Sequence, residues 1–169
     1  VECIHSYSLI HDDLPCMDND RLRRGKPSTH IKFGESTAIL AGNSLLTLAF
    51  EMIADKKFNL DSKVKLNLIR KLSECAGHVG IAGGQFLDLN YEKKNIDFKK
   101  IINMQRKKTG KLFEFCCLAP AIVAKKNTKT QKEMSKVGEE IGLLFQIADD
   151  LLDIKGNKKS TGKSVKNDK

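Results

Sequence analysis

The chain has 169 residues, enough for one ordinary domain with its own core, and 40% of them are apolar. A formal charge of +9 invites a polyanionic partner, but the excess is lysine scattered in pairs such as Lys56-Lys57, Lys93-Lys94 and Lys99-Lys100. With no aromatic-interleaved basic strip and no helix-turn-helix pattern, nucleic-acid binding is set aside. Five cysteines without a CxxC pair argue against a disulfide framework or a zinc ribbon and fit a reducing cytoplasm. Cys3, Cys75, Cys116 and Cys117 lie in apolar helical patterns and read as small core residues. No segment reads as a run of roughly 18 to 20 apolar residues, so no membrane insertion is expected. Few prolines, few aromatics and long segments of helical periodicity predict an all-α architecture.

Val1 to His11 is apolar, lacks an initiator Met and has no capping residue ahead of it, so it reads as the middle of a helix in a fragment. That helix is expected to end near Asp13, because Pro15 disfavours the α conformation in the residue before it. Ser8 to Lys26, SLIHDDLPCMDNDRLRRGK, then mixes Asp12, Asp13, Asp18 and Asp20 with Arg21, Arg23 and Arg24. Carboxylates are hard oxygen ligands of the kind that suit Mg²⁺, and guanidinium forks fit phosphate oxygens. A solvated loop between helices would look the same on this stretch alone. The aspartates fall at a helix C-terminus, where the dipole is already negative, so a cation is needed there.

Glu35 to Ala54 is apolar nearly all round and is expected to be a central buried helix or a subunit interface. Asp61 is the expected N-cap of the next helix, with Val64, Leu68 and Leu72 on one face. Gly77, Gly80, Gly83 and Gly84 suggest close helix packing, and Gln85 and Asp88 share a face beyond them. Asp97 should cap a long helix from Phe98 to about Ala124, kinked at Pro120. One stripe of it carries Ile101, Ile102, Gln105, Thr109, Leu112 and Cys116, with Lys108 at its edge. Thr128 or Thr130 is the expected cap of a last helix reaching Ile154, stopped by Gly156. On it Met134, Val137, Ile141, Leu144, Ala148 and Leu152 form the expected core stripe. Gly142, Gln146, Asp149 and Asp153 form a polar band beside it, with Asp150 a little further round. Asn157 to Lys169 reads as a flexible basic loop.

Two carboxylates one helical turn apart, at roughly 6 Å, repel by about 0.7 kcal/mol in water but by about 3 kcal/mol at an effective dielectric of 20. In a semi-enclosed cavity such a band needs divalent cations or protons. Aspartates alternating with Arg and Lys favour cations, since Mg²⁺ with phosphate oxygens satisfies both signs at once.

The motifs together resemble those of the trans-isoprenyl diphosphate synthases. Asp12-Asp13-Leu-Pro-Cys-Met-Asp18, followed by Arg23-Arg24-Gly25, is similar to the first aspartate-rich motif in its longer bacterial-type form. Phe145-Gln146-Ile-Ala-Asp149-Asp150-Leu-Leu-Asp153 is similar to the second. Gly84-Gln85-Phe-Leu-Asp88-Leu and Lys108-Thr109-Gly110 stand between them in the family's order. The resemblance covers the whole chain and implies a bundle of long antiparallel helices around a deep cavity, homodimeric and cytoplasmic, with residues 1–169 forming a single incomplete domain. It implies head-to-tail condensation of isopentenyl diphosphate with an allylic diphosphate, assisted by Mg²⁺, in a cluster of three ions. Asp12, Asp18 and Asp149 are then the most direct metal ligands, with Asp13, Asp150 and Asp153 in support. Arg23, Lys108 and Lys163 hold the allylic diphosphate, and Arg24 binds isopentenyl diphosphate. Thr109 and Gln146 face the carbocation with neutral dipoles, and Gln85 supports them. Tyr7, five positions before Asp12, is the chain-length ruler and favours farnesyl over geranylgeranyl diphosphate.

Some of the family's pattern has no counterpart: the upstream Gly-Lys and Arg site for isopentenyl diphosphate, an HxxE-type segment, and the C-terminal helices. The 169-residue polypeptide alone is therefore expected to be inactive or poorly folded. A terpene cyclase or head-to-head synthase shares the aspartates, but Arg23-Arg24, Lys108-Thr109 and Gly84-Gln85 with Asp88 argue for elongation. A non-catalytic partner subunit would typically lose aspartates, and both sets stand here. An HD-type phosphohydrolase, suggested by His11-Asp12, needs further metal-binding histidines that His5, His30 and His78 do not supply.

Overall fold

The computed structural model describes residues 1–92 and 94–155, and they are helical almost throughout. The elements are α1 (Glu2–Asp12), β1 (Leu22–Arg23), β2 (Lys26–Pro27), α2 (Thr29–Phe33), α3 (Glu35–Ala54), α4 (Ser62–Ala76) and α5 (Ile81–Tyr91). They continue with α6 (Phe98–Gln105), a π-helical turn (Arg106–Gly110), α7 (Lys111–Val123) and α8 (Thr128–Lys155). Among the described residues two compact units result, one made of Val1–Ala49 with the end of α8 from Ile147, the other of Phe50–Gln146.

In the first unit α1 ends where Pro15 requires, with Asp13 as its C-cap. Ile4, Tyr7 and Leu14 are buried, as is Ala38 of α3. The acidic loop closes on a two-stranded antiparallel ribbon that the sequence reading did not anticipate, pairing Leu22 with Pro27 and Arg23 with Lys26. Its turn residues, Arg24 and Gly25, have φ of 52° and 75°. Two left-handed residues in succession match the twist of a tight hairpin, which explains a glycine at the second place.

α3 corrects two expectations. Its 20 residues are long and apolar enough to cross a membrane by length and composition. Ser, Thr, Asn and Gly interrupt the apolar residues, so counting unbroken runs overlooked it. Nor is it centrally buried: Ala38, Gly42 and Ala49 are, while Leu40 and Met52 are 64% and 56% exposed.

In the second unit α4 forms as expected. The Asp61 side chain accepts from the Lys63 N–H at 2.9 Å, and Val64, Leu68 and Leu72 are buried together with Cys75. Burial, reinforced by the Glu114 charge, pushes the Cys75 thiol up to about 12, so it stays protonated. The long helix from Phe98 is present but interrupted by the π turn. A π turn holds more residues than an α turn, so the faces before and after it fall out of register. Gln105 is buried ahead of it, whereas Phe115, Leu118, Ala121 and Ile122 are buried beyond it. The straight stripe expected through Leu112 and Cys116 therefore fails, and Cys116 is exposed rather than in the core.

α8 begins at Thr128, but Asn127 caps it, its side-chain oxygen accepting from the Thr130 N–H at 2.9 Å. The expected core stripe of α8 is mostly exposed: Ile141 is 42% exposed, Val137 46%, Leu152 61% and Leu144 67%. The buried positions are instead Gly138 and Gly142, one turn apart on the same face. A Cβ at either would overlap backbone, that of Glu114 for Gly138 and of Gly110 for Gly142. α8 thus approaches α7 and the π turn through its glycines, and hydrophobicity alone misplaced the contact face.

A charged cluster flanks this contact. Lys111 donates to Glu114 at 2.5 Å and to Glu139 at 3.3 Å, and the Ser135 hydroxyl donates to Glu114 at 2.7 Å. Burial raises the Glu114 carboxyl, but the bonds from Lys111 and Ser135 outweigh it and leave its pKa lowered. A lowered carboxylate contributes stability above its unfolded pKa and loses it as pH falls through the folded one. Glu114→Gln is expected to destabilise the full-length protein by about 1–3 kcal/mol at pH 7, with the difference shrinking below the carboxylate range. Urea unfolding at the two pH values checks this, and an undiminished difference in acid would point to packing instead.

Candidate active site

Asp12 is the last residue of α1, and Asp18 folds back on it, its N–H donating to the Asp12 carbonyl at 2.9 Å. Asp12 is half-buried and Asp18 exposed. Asp13 differs: it is 2% exposed and receives the Arg23 fork, from Nη2 and from Nε at 3.1 and 3.3 Å to its two oxygens. Asp20 lies 3.8 Å from the same guanidinium. Burial lowers the Arg23 pKa, but the bonds and charge of Asp13, with Asp20 and Asp12, more than reverse that and leave it raised. The hairpin thus carries the counter-ion that the negative end of α1 requires. Arg24, at the turn itself, is exposed.

The second unit assembles a different set of residues. On the π turn, Lys108 Nζ donates to Asp88 of α5 at 2.5 Å, and the Thr109 hydroxyl donates to Gln146 Oε1 of α8 at 2.9 Å. The turn can lie this close to α5 because of Gly84, where a Cβ would overlap the Lys108 backbone nitrogen. Gln85, next in sequence, is 8% exposed, and neither of its amide atoms has a hydrogen-bond partner among the described residues. A buried amide left in that state costs on the order of 1–3 kcal/mol unless something polar reaches it.

Sequence reasoning placed Gln85, Lys108, Thr109 and Gln146 in the site, and the structure brings Lys108 to α5 and Thr109 to Gln146. It had placed Asp88 only on the Gln85 face, and Asp88 is the group that holds Lys108. The spacing of three from Gln85 was the available signal. Asp149 and Asp150 follow Gln146 by one turn of α8, exposed and half-buried respectively, and Asp153 lies one turn further. Lys163, Gly156 and the basic tail lie outside the described residues. Among the described residues no three His, Cys, Asp or Glu side chains gather as a metal-binding group.

The sequence model of polyprenyl synthetases matches residues 1–169, the whole chain. The chain belongs to the polyprenyl synthetase family. Farnesyl diphosphate synthase of Bacillus subtilis (strain 168) is 43% identical over 169 residues, covering 99% of this chain and 57% of the relative. An FPP/GFPP synthase from Zymomonas mobilis, in its apo crystal structure, is 46% identical with a TM-score of 0.88, covering 97% of this chain and 58% of its own. A geranyltransferase from Helicobacter pylori complexed with magnesium and isoprenyl diphosphate gives a TM-score of 0.91 at 36% identity, covering 97% of this chain and 54% of its own. The chain therefore spans little more than half the length of the proteins it matches. Membership of the polyprenyl synthetase family bears out both the resemblance and the all-α fold.

For this polyprenyl synthetase chain the close approach at Gly84 and the Lys108–Asp88 pair make separable contributions. Gly84→Ala should cost about 1–3 kcal/mol, because backbone cannot yield as a side chain would. Asp88→Asn breaks an ion pair whose side chains are 35% and 25% exposed, and should cost no more than about 1 kcal/mol. Urea unfolding of the full-length protein ranks the two, and the reverse order would show that the π turn does not depend on Gly84.

Proposed function

We propose that the whole protein condenses isopentenyl diphosphate head-to-tail with an allylic diphosphate, with farnesyl diphosphate as product and residues 1–169 as part of its one catalytic domain. The observation that supports this most is the pairing on the π turn: a lysine held by a carboxylate beside a threonine bonded to a glutamine. A cation poised for an anion, next to groups with dipoles but no strong nucleophile, is what ionisation of an allylic diphosphate requires.

Mg²⁺ is the proposed cofactor, three ions in number, held by Asp12, Asp18 and Asp149 with Asp150 and Asp153 in support, while Asp13, expected among the supporting ligands, is taken up by Arg23 and shapes the loop instead. The donor chemistry fits. Carboxylates are the hard ligands Mg²⁺ takes, and it binds through one or two of them plus substrate phosphates and water, so a cage of three protein ligands is not needed. When bound, it neutralises diphosphate oxygens and so assists departure of the leaving group.

The protein's own groups do the rest. Lys108, with Arg23 and Lys163, binds the allylic diphosphate; Lys108 exchanges Asp88 for phosphate oxygens, so its charge stays compensated before and after substrate arrives. The allylic C–O bond breaks with its electron pair on the diphosphate. Thr109 and Gln146 present oxygen dipoles to the carbon left positive, and Gln85 completes that neutral set. The double bond of isopentenyl diphosphate, anchored by Arg24, forms the new C–C bond, and a proton leaves to the departing diphosphate. Exposed Leu40 and Met52 on α3 support a homodimer, with α3 read as its interface rather than as a membrane span, in a cytoplasmic enzyme.

Incubating the full-length protein with labelled isopentenyl diphosphate and geranyl diphosphate should yield a labelled C15 diphosphate, with EDTA abolishing the product and Mg²⁺ restoring it. Failure to incorporate label would overturn the reading. Tyr7, buried at 7% exposure on α1, stands five residues from Asp12, about 7.5 Å along the helix axis. Tyr7→Ala should shift products towards C20 on thin-layer analysis, and an unchanged product length would remove its ruler role.

A further inference from the structure

We propose that His11 is a positioning residue for the acidic loop, its ring fixing the direction in which α1 presents Asp12 to the metal-bound diphosphate. The inference rests on the function proposed above. It starts from the contact of His11 Nε2 with the Ile39 carbonyl oxygen of α3, at 3.2 Å. A carbonyl only accepts, so Nε2 carries the proton and donates. Opposite the ring is Gly42, where a Cβ would overlap the ring itself. The space at Gly42 is therefore filled by His11, and a larger residue there would expel it. The ring also stands edge-on to Tyr7, with centroids 5.8 Å apart and planes at 79°. Bond, notch and edge contact together leave the imidazole little freedom.

What this does for Asp12 follows from the chain. The last turn of a helix is its least constrained part, since its carbonyls lack intrahelical partners. Asp12 sits in that turn, yet its neighbours on both sides are tied down: His11 to α3, and Asp13 to Arg23 on the hairpin. Successive residues are 100° apart around the axis, so fixing the two flanking side chains sets the azimuth of the one between. The Asp12 carbonyl is meanwhile engaged by the Asp18 N–H, so orienting α1 also orients the second carboxylate of the loop. Residues that aim a ligand from behind typically change metal affinity or activity by about 10- to 100-fold when lost.

The test contrasts His11→Gln, whose amide nitrogen falls near the place of Nε2, with His11→Asn, whose amide stops short of Ile39. In the full-length protein, Mn²⁺ affinity would be measured by electron paramagnetic resonance with inorganic pyrophosphate as the anion, beside kcat and KM. His11→Gln should stay within about threefold of wild type, while His11→Asn should bind Mn²⁺ about tenfold more weakly. For His11→Asn, kcat should fall with the KM for isopentenyl diphosphate unchanged. Gly42→Ala should behave like His11→Asn although His11 itself is intact. If Gly42→Ala does not fold, the Asn and Gln pair decides alone. Equal Mn²⁺ affinity in wild type and His11→Asn would overturn the proposal and leave His11 a packing residue. A wild-type protein that takes up no Mn²⁺ with pyrophosphate would instead overturn the proposed function, and the positioning role with it.

Discussion

The second unit depends on how close three backbones can come to one another at the π turn Arg106–Gly110. Gly84 admits the turn to α5, and Gly142 admits α8 to Gly110, each at a place where a single carbon more would overlap main chain. Backbone approach of this kind is rigid, since main-chain atoms cannot rotate out of the way as side chains do. It fixes Lys108 and Thr109, adjacent in sequence, onto different partners, one on α5 and one on α8. A regular α-helix in the same place would have aimed these two residues 100° apart on an unbroken cylinder. The π turn carries both bonds, and π turns within helices occur frequently at functional sites.

The first unit meets its central difficulty electrostatically. Aspartates at the end of α1 add charge where the helix is already negative, and a buried carboxylate cannot be left to solvent. The hairpin places Arg23 over Asp13 and satisfies that demand within the loop. Asp12 and Asp18 remain on its accessible side, the former half-buried and the latter exposed. The loop thus treats neighbouring aspartates differently, closing Asp13 in an ion pair and leaving Asp12 and Asp18 with accessible surface.

Much of this was legible in the residues, and the failures have a common cause. α1 stopped where Pro15 demanded, Asp61 capped α4, and the Val64, Leu68 and Leu72 face was buried, because each depends on interactions within one turn. The motifs behind the family resemblance were legible for the same reason: Asp12 with Asp13, Lys108 with Thr109 and Gln146 with Asp149 are local groupings. The apolar stripe of α8 and the straight stripe through Cys116 were misread because both assumed that helices meet through their largest apolar side chains. α8 meets its neighbours through Gly138 and Gly142, and the π turn rotates everything after it. Glycine carries no hydrophobic signal, so periodicity is blind to contacts made by absence of a side chain. The Asp88 partner of Lys108 and the Arg23 partner of Asp13 were out of reach because each joins residues 20 and 10 positions apart across a fold not yet known.

The Asp13–Arg23 pair has a consequence for how genetics at this loop is to be interpreted. Removing Arg23 leaves Asp13 as a lone charge in a nearly closed space, a defect worth about 3–5 kcal/mol, whereas Arg23 without Asp13 keeps Asp20 at 3.8 Å. Evolution must then alter the two codons in concert or accept an interval of instability. A laboratory variant at Asp13 that loses activity has most directly lost the shape of its loop, and its phenotype says little about which carboxylates grip an ion.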